Sequence, residues 1–196
     1  MIVGPMFAGK SSAIQSIVKR HKAMKWPICV ITHSIDTRYS EESLLVNHDQ
    51  QSIPAIRTES LVQQMGTPSY IESRLVVVEE AQFFKDLVPF VQIAVDTHGK
   101  HVVVVGLDGD SERLPFGRLL DLIPLADRIT KLTAFCTDCS DGTAAIFTYA
   151  HSRSEEASNI YVGGAETYSA LCRNHYLARK AGILVTADSS VCSTRD

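Results

Sequence analysis

Apolar residues in this chain gather into short unbroken runs, separated by stretches with helical spacing. Arg74-Leu75-Val76-Val77-Val78-Glu79-Glu80 and His101-Val102-Val103-Val104-Val105-Gly106 show almost no alternation. That is the mark of strands covered on both faces. Pro27-Ile28-Cys29-Val30-Ile31-Thr32 reads the same way, with Cys29 as a small core hydrophobe. Between them, Ala13, Ile14, Ile17 and Val18 recur with the period of a helix over Lys10 to Lys25. A short helix is expected from Leu61 to Met65, stopped by Gly66 and Pro68. Longer helices are expected over Ala81 to Asp96 and over Arg118 to Asp127, the latter entered through Pro115-Phe116-Gly117. Arg128 to Phe135 reads as a last strand of the same sheet, and residues 34–60 as polar, loop-like chain. Strand and helix alternate throughout, which predicts an α/β fold with a largely parallel sheet and helices on both faces.

The first strand is the shortest, and it leads into the most informative stretch. Met1-Ile2-Val3 runs into Gly4-Pro5-Met6-Phe7-Ala8-Gly9-Lys10-Ser11, which fits G-x-x-x-x-G-K-S. Gly4 and Gly9 permit backbone angles and close approaches that a Cβ would obstruct. Successive N–H groups can then face one concavity and hold anionic oxygens. The helix that follows adds the positive end of its dipole. Lys10 would reach the β- and γ-phosphates, and the Ser11 hydroxyl can ligate Mg²⁺. Gly4, Pro5, Met6, Phe7, Ala8, Gly9, Lys10, Ser11 and Ser12 are therefore the expected phosphate-binding set for a nucleoside triphosphate. A chance glycine turn is the bland alternative, and its position between strand and amphipathic helix argues against it.

Glu79 and Glu80 follow Val76-Val77-Val78 directly. In phosphate-loop proteins the acid ending such a strand reaches towards Mg²⁺. A neighbouring carboxylate points the other way, because side chains alternate along a strand. It is then free to take a proton from an attacking hydroxyl or water.

The five cysteines stand at 29, 136, 139, 172 and 192. An odd number in close-spaced groups is a metal-site pattern of an intracellular chain, not a disulfide framework. Cys136-Thr137-Asp138-Cys139 and Cys172-Arg173-Asn174-His175 supply C-x-x-C and C-x-x-H. Three thiolates and one imidazole make a closed, structural Zn²⁺ set with no position left for water. From Cys136 to about Tyr176 the segments are short, and zinc would supply folding energy that so small a core cannot.

With 196 residues, 45% hydrophobic content and a net charge of -3, the chain suits one domain with a small satellite. The acidic balance argues against a broad nucleic-acid surface. No apolar run approaches the roughly 20 residues that span a bilayer. The phosphate loop at the very start leads us to expect no targeting segment, hence a cytoplasmic protein. The expected organisation is a nucleotide-binding domain over 1–135, a zinc-bounded domain over 136–182, and a disordered tail over 183–196.

Taken in order, these residues resemble the zinc-containing, tetrameric-type (type II) thymidine kinases. The resemblance covers about residues 2 to 180 and rests on an ordered series. It begins with the phosphate loop, Asp36-Thr37-Arg38-Tyr39 and His48-Asp49. It continues through Glu80-Ala81-Gln82-Phe83-Phe84, Leu107-Asp108-Gly109 and Pro115-Phe116-Gly117, and ends with both knuckles and Gly163-Gly164-Ala165-Glu166-Thr167-Tyr168. The resemblance implies a RecA-like phosphate-loop sheet carrying a zinc-ribbon lasso that closes over the nucleoside. It implies γ-phosphoryl transfer from ATP-Mg²⁺ to the 5′-hydroxyl of thymidine or deoxyuridine. Glu80 matches the family's base, Arg38 joins Lys10 on the phosphates, and Ser11 with Glu79 serve Mg²⁺. Met6, Phe83, Leu107, Phe116, Thr148, Tyr161 and Tyr168 match nucleoside-binding positions. Feedback inhibition by dTTP and a homotetramer are implied as well.

The chain departs from the family at Glu79, where Asp is usual, and at His175, where a fourth Cys is usual. The stretch Ser140 to Thr148 is longer than usual, and Asn159 and Tyr161 replace smaller apolar residues. A broader deoxynucleoside kinase or a RecA-like ATPase would share the phosphate loop. Thymidine dependence separates the first from this reading, and nucleoside-independent hydrolysis the second.

Overall fold

The computed structural model describes residues 1–35, 44–46, 52–151 and 163–183. Its centre is a six-stranded sheet whose strands lie in the order Ile56–Thr58 (β5), Ile28–His33 (β2), Leu75–Val78 (β6), His101–Gly106 (β7), Ile2–Val3 (β1) and Thr130–Lys131 (β8). β1 (Ile2–Val3) leads through the glycine loop into α1 (Lys10–Ala23), which returns to β2 (Ile28–His33). A small hairpin, β3 (Leu44–Val46) with β4 (Ser52–Pro54), precedes the edge strand β5 (Ile56–Thr58). Then come α2 (Leu61–Gln64), α3 (Pro68–Glu72), β6 (Leu75–Val78), α4 (Leu87–Gln92), β7 (His101–Gly106) and β8 (Thr130–Lys131). Every pairing in this sheet is parallel.

Both faces are covered, as the unbroken apolar runs require. Leu75 and Val77 of β6 pack with Ile14 and Val18 of α1 on one face. Val76 and Val78 pack with Tyr70, Leu87, Phe90 and Leu119 on the other. Cys29 sits in that second cluster, and burial pushes its thiol up to about 11, as suits a core hydrophobe.

Several local expectations are corrected. Residues 34–60 are not all loop: Ile56–Thr58 joins β2 as a parallel edge strand. Pro68 does not merely end a helix. It opens α3 at a position where its missing N–H costs nothing, with Thr67 accepting from the Tyr70 amide as cap. The helix expected over Ala81 to Asp96 is broken. A 3₁₀ turn, Ala81–Phe83, is followed by extended Phe84, then by α4 and a π-helical turn at Ile93–Thr97. Arg118 to Asp127 contains a 3₁₀ segment, Leu119–Leu125, with Pro124 inside it. Proline cannot donate to the α ladder, which favours the tighter, shorter form. Arg128 to Phe135 divides: only β8 joins the sheet, whereas β9 (Ala134–Phe135) pairs antiparallel with β10 (Ala144–Ala145).

Beyond β9 the chain forms two antiparallel ribbons and a helix. β11 (Phe147–Ala150) pairs with β12 (Tyr168–Leu171), and α5 (Arg173–Lys180) closes the described part of the segment. A third apolar cluster binds them, made of Ala134, Ala145, Ala170, Leu171 and Tyr176 with Phe147 and Tyr149. Of the expected tail over 183–196, residues 184–196 lie outside the described residues.

One long-range cap ties the helical face together. Asp86 Oδ2 accepts from Ser60 Oγ at 2.7 Å and from the Val62 amide at 3.0 Å, so α4 holds the start of α2. Burial pushes this carboxyl up, but donors from Val62, Ser60 and Leu61 outweigh it and hold it below the usual value. Folding therefore favours the ionised form, and the stabilisation is complete above the unfolded value and lost as pH falls through the depressed folded one. Asp86→Asn is expected to lower stability in urea at pH 7 by about 1 kcal/mol, a typical value for hydrogen bonds to a partly exposed charge. The gap to wild type should close below about pH 4. A gap of equal size at pH 7 and pH 3 would contradict the assignment.

Candidate active site

The glycine loop sits where β1 ends, and its sharp turn is built on close backbone approach. Gly4 has φ 155°, and a Cβ there would lie 2.5 Å from the Leu132 carbonyl oxygen. Gly9, at φ 76°, caps α1. Phe7 also takes a left-handed conformation, φ 64°, and is exposed, whereas Pro5 and Met6 are buried. The Lys10 ammonium folds over the loop and donates to the Pro5 carbonyl at 2.7 Å and the Gly4 carbonyl at 3.3 Å. Ala8 packs against the third apolar cluster, so the loop touches the segment beyond β9. Ser12 is exposed on the first turn of α1.

The two acids separate as strand alternation requires. Glu79, 4% exposed, continues the ladder of β6 through its amide to Ile31 and turns towards the loop. Its Oε1 accepts from Ser11 Oγ and its Oε2 from Thr32 Oγ1, both at 3.2 Å. Glu80, 9% exposed, adopts φ 50° and ψ 40°, a left-handed conformation that costs a non-glycine residue about 1–2 kcal/mol. Such strain is characteristic of working side chains. Glu80 Oε2 accepts from Gln82 Nε2 at 2.6 Å, and Gln82 Oε1 accepts from the Leu107 amide at 3.1 Å.

Aromatic groups lie alongside. Phe83 and Phe116 meet edge to face at 5.3 Å between ring centroids, and His33 lies 5.7 Å from Phe83. Thr148 is buried on β11 and its hydroxyl accepts from the Met6 amide at 3.0 Å, joining the loop to the β11–β12 ribbon. Tyr168 is buried at the start of β12, opposite Ala150. The structure thus brings Met6 to Thr148, Phe83 to Phe116, and Leu107 to the glutamine beside Glu80. Arg38 and Tyr161 lie outside the described residues, as do Asp36, His48, Asn159 and Cys192.

The two knuckles converge into a potential metal centre. Cys136, Cys139, Cys172 and His175 offer ligand atoms within 4.8 Å of one another. Sγ of Cys136, Cys139 and Cys172 stand 3.5, 3.2 and 3.4 Å from His175 Nδ1, and Cys139 Sγ is 3.9 Å from Cys172 Sγ. A tetrahedron of Zn–S and Zn–N bonds needs sulfur–sulfur separations of about 3.8 Å and sulfur–nitrogen of about 3.6 Å. The donor set fits. Burial pushes the Cys136 thiol up, yet backbone amides of Cys172, Cys139 and Asp138 hold it below its ordinary value. Arg179 of α5 clamps Asp138 between the first two cysteines, with bonds of 2.8 and 2.5 Å.

Three polar contacts escaped sequence reasoning. Thr32 is an ordinary strand residue in sequence, and only β2–β6 register brings it to Glu79. Gln82 lies within Glu80-Ala81-Gln82-Phe83-Phe84, where no local spacing gives its amide a partner. Tyr176 donates to the Ser111 carbonyl at 2.6 Å across 65 residues, which no local pattern announces.

Comparison with known proteins gives the family. The family model described as "Thymidine kinase" matches residues 1–176. The chain is 42% identical over 181 residues to "Thymidine kinase" of Oryza sativa subsp. japonica, covering 90% of this chain and 65% of that protein. It is 35% identical over 185 residues to "Thymidine kinase, cytosolic" of Homo sapiens, covering 93% and 74%. With "Thymidine kinase" of Yaba monkey tumor virus it shares 38% over 176 residues, covering 90% and 92%. A phosphate loop, two divided acids, an aromatic pair and a Cys₃His cluster thus stand in a chain that belongs to the thymidine kinase family.

Proposed function

We propose that this member of the thymidine kinase family transfers the γ-phosphoryl of ATP to the 5′-hydroxyl of thymidine, and also of deoxyuridine, giving the nucleoside monophosphate and ADP in deoxynucleotide salvage. The observation that carries the reading is the division of the carboxylates, Glu79 at Ser11 and Glu80 at the glutamine beside Leu107.

The loop amides and Lys10 would hold the phosphates, with Lys10 exchanging its carbonyl partners for phosphate oxygens, and Arg38 joining them. An acid beside an anion-binding loop is electrostatically costly unless a cation lies between. Ser11 and Glu79 offer hard oxygen donors at that point and fit Mg²⁺, which when bound neutralises charge on the transferred group. Glu80 accepts the 5′-hydroxyl proton as the nucleoside oxygen bonds to the γ-phosphorus and the bond to the ADP oxygen breaks. Positioning supplies most of the remaining rate. Met6, Phe83, Leu107, Phe116, Thr148, Tyr161 and Tyr168 would enclose the nucleoside, whose flat base suits the Phe83–Phe116 corner.

In this reading residues 1–135 form the nucleotide-binding domain and 136–182 the nucleoside-binding one. Cys136, Cys139, Cys172 and His175 would hold Zn²⁺, whose contribution is structural, since all four positions of a tetrahedron are taken. Thiolate ligands suit a reducing compartment, and one relative is named cytosolic, which supports cytoplasmic placement. A homotetramer inhibited by dTTP completes the proposal. Among the described residues no helix is long and apolar enough to cross a membrane.

ADP release should depend on thymidine in the presence of ATP and Mg²⁺, and Glu80→Gln should lower it by about 10²–10⁴-fold, the range for loss of a general base. Hydrolysis indifferent to nucleoside, or an active Glu80→Gln, would reject the mechanism. Elemental analysis should find one zinc per chain, and Cys172→Ala should remove the zinc and lower both melting temperature and thymidine turnover. Full turnover without zinc would remove the metal from the account.

A further inference from the structure

Gln82 occupies an unusual position for a polar side chain. It is 3% exposed, and both ends of its amide are engaged by the site. The Leu107 backbone N–H can only donate, so the group facing it at 3.1 Å must be Oε1. That fixes the amide without ambiguity and turns Nε2 towards Glu80, 2.6 Å from its Oε2.

The surroundings leave Gln82 no freedom. A Cβ on Gly106 would lie 2.3 Å from its Oε1, and one on Gly117 would lie 2.0 Å from its backbone oxygen. Gly117 has φ 58°, so the turn after Phe116 can press flat against Gln82 only as glycine. The residue is held from three directions: its amide oxygen by the Leu107 N–H and the close approach of Gly106, its backbone by Gly117 beside Phe116, and its main chain by the 3₁₀ turn that carries it.

We propose that Gln82 is a positioning residue for the phosphoryl transfer. Its amide aims the Glu80 carboxylate, holds it as a hydrogen-bond acceptor, and registers it against the Leu107 backbone in the nucleoside pocket. The inference rests on the reading of Glu80 as the base. The two groups its amide bonds are Glu80 and the Leu107 N–H, so its effect is exerted through the base. It leaves one oxygen of Glu80 aimed by an N–H donor, and couples that aim through Leu107 to the walls that would enclose the nucleoside. A shift in the Leu107–Gly117 segment would move the base with it.

The test uses full-length protein and steady-state kinetics with thymidine and ATP-Mg²⁺. Gln82→Glu keeps the shape and keeps an acceptor for Leu107, but replaces the donor towards Glu80 with a second carboxyl. Two carboxyls at that separation share a proton. The expected result is a fall in kcat of about tenfold or more at neutral pH with KM for thymidine within about threefold, and an acid limb of the kcat profile displaced to higher pH. Gln82→Met, of similar length and with no polar end, should lower kcat without raising KM, and guards against misfolding of the charged variant. A Gln82→Glu enzyme with kcat within about twofold of wild type, or with a loss unaccompanied by any move of the acid limb, overturns the inference. Glu80→Gln is measured in parallel. If it abolishes turnover while both Gln82 variants behave as wild type, the positioning role alone fails. If it remains active, the base assignment fails and takes this inference with it.

Discussion

Strand β6 is sandwiched between helices on both faces, and its last apolar residue is followed by two carboxylates that are themselves buried. Removing a charge from water costs several kcal/mol unless its oxygens are hydrogen-bonded or paired. The sheet meets this requirement through the same two-residue period that builds its core. Leu75, Val77 and then Glu79 point to the face of α1, where Ser11 and Thr32 donate to the acid. Val76 and Val78 point to the opposite face, and Glu80 meets Gln82 there. A one-residue slip in β6 would exchange the two acids and bury both cores wrongly, so hydrophobic packing enforces the chemical division.

The segment that carries the Cys₃His cluster is joined to this centre at more than one level. Thr148 takes the Met6 amide within the phosphate loop, so β11 is braced against the turn that would cradle the nucleotide. On the outer side, Tyr176 donates to Ser111, Lys180 pairs with Glu112, and Arg113 lies over the Tyr176 ring at 4.8 Å. All three hold the hairpin between Gly109 and Pro115, which connects Leu107 to Phe116. Helix α5 carries His175 and Tyr176 side by side, so the imidazole of the Cys₃His cluster and the phenol that clasps Ser111 are set by one short helix. Separation of the Cys₃His cluster would therefore disturb the Leu107–Phe116 connection as well as the ribbon around the cysteines.

The sequence disclosed the parts whose meaning is local. The glycine loop, the buried strands β2, β6 and β7, the paired acids and the Cys₃His set each carry a spacing that only a few structures satisfy. Contacts made by register or by long-range packing stayed hidden. Ile56–Thr58 is too short for periodicity to separate it from loop, and it becomes a strand only by pairing with β2. The division of Arg128 to Phe135 is equally silent, because both halves look extended. Thr130–Lys131 finds Ile2–Val3, whereas Ala134–Phe135 finds Ala144–Ala145. Arg38 and Tyr161, supplied by resemblance alone, lie outside the described residues.

The broken helix after β6 is the most instructive departure. Apolar spacing from Ala81 to Asp96 suits a continuous α-helix, and its interior does contain one. A regular helix beginning at Ala81 would set residues two apart on different faces. Gln82 could not then turn back to the carboxylate that precedes the helix. The left-handed Glu80 and the 3₁₀ turn at Ala81–Phe83 bring the amide beneath the acid, and Phe83 remains free to meet Phe116. Extended Phe84 then restarts the chain, and Asp86 anchors α4 to α2 before the ordinary helix resumes. Local propensity is overridden over a few residues, at a cost of about 1–2 kcal/mol for the strained glutamate. It yields where the two acids must face different partners, and is obeyed again once the chain leaves the site.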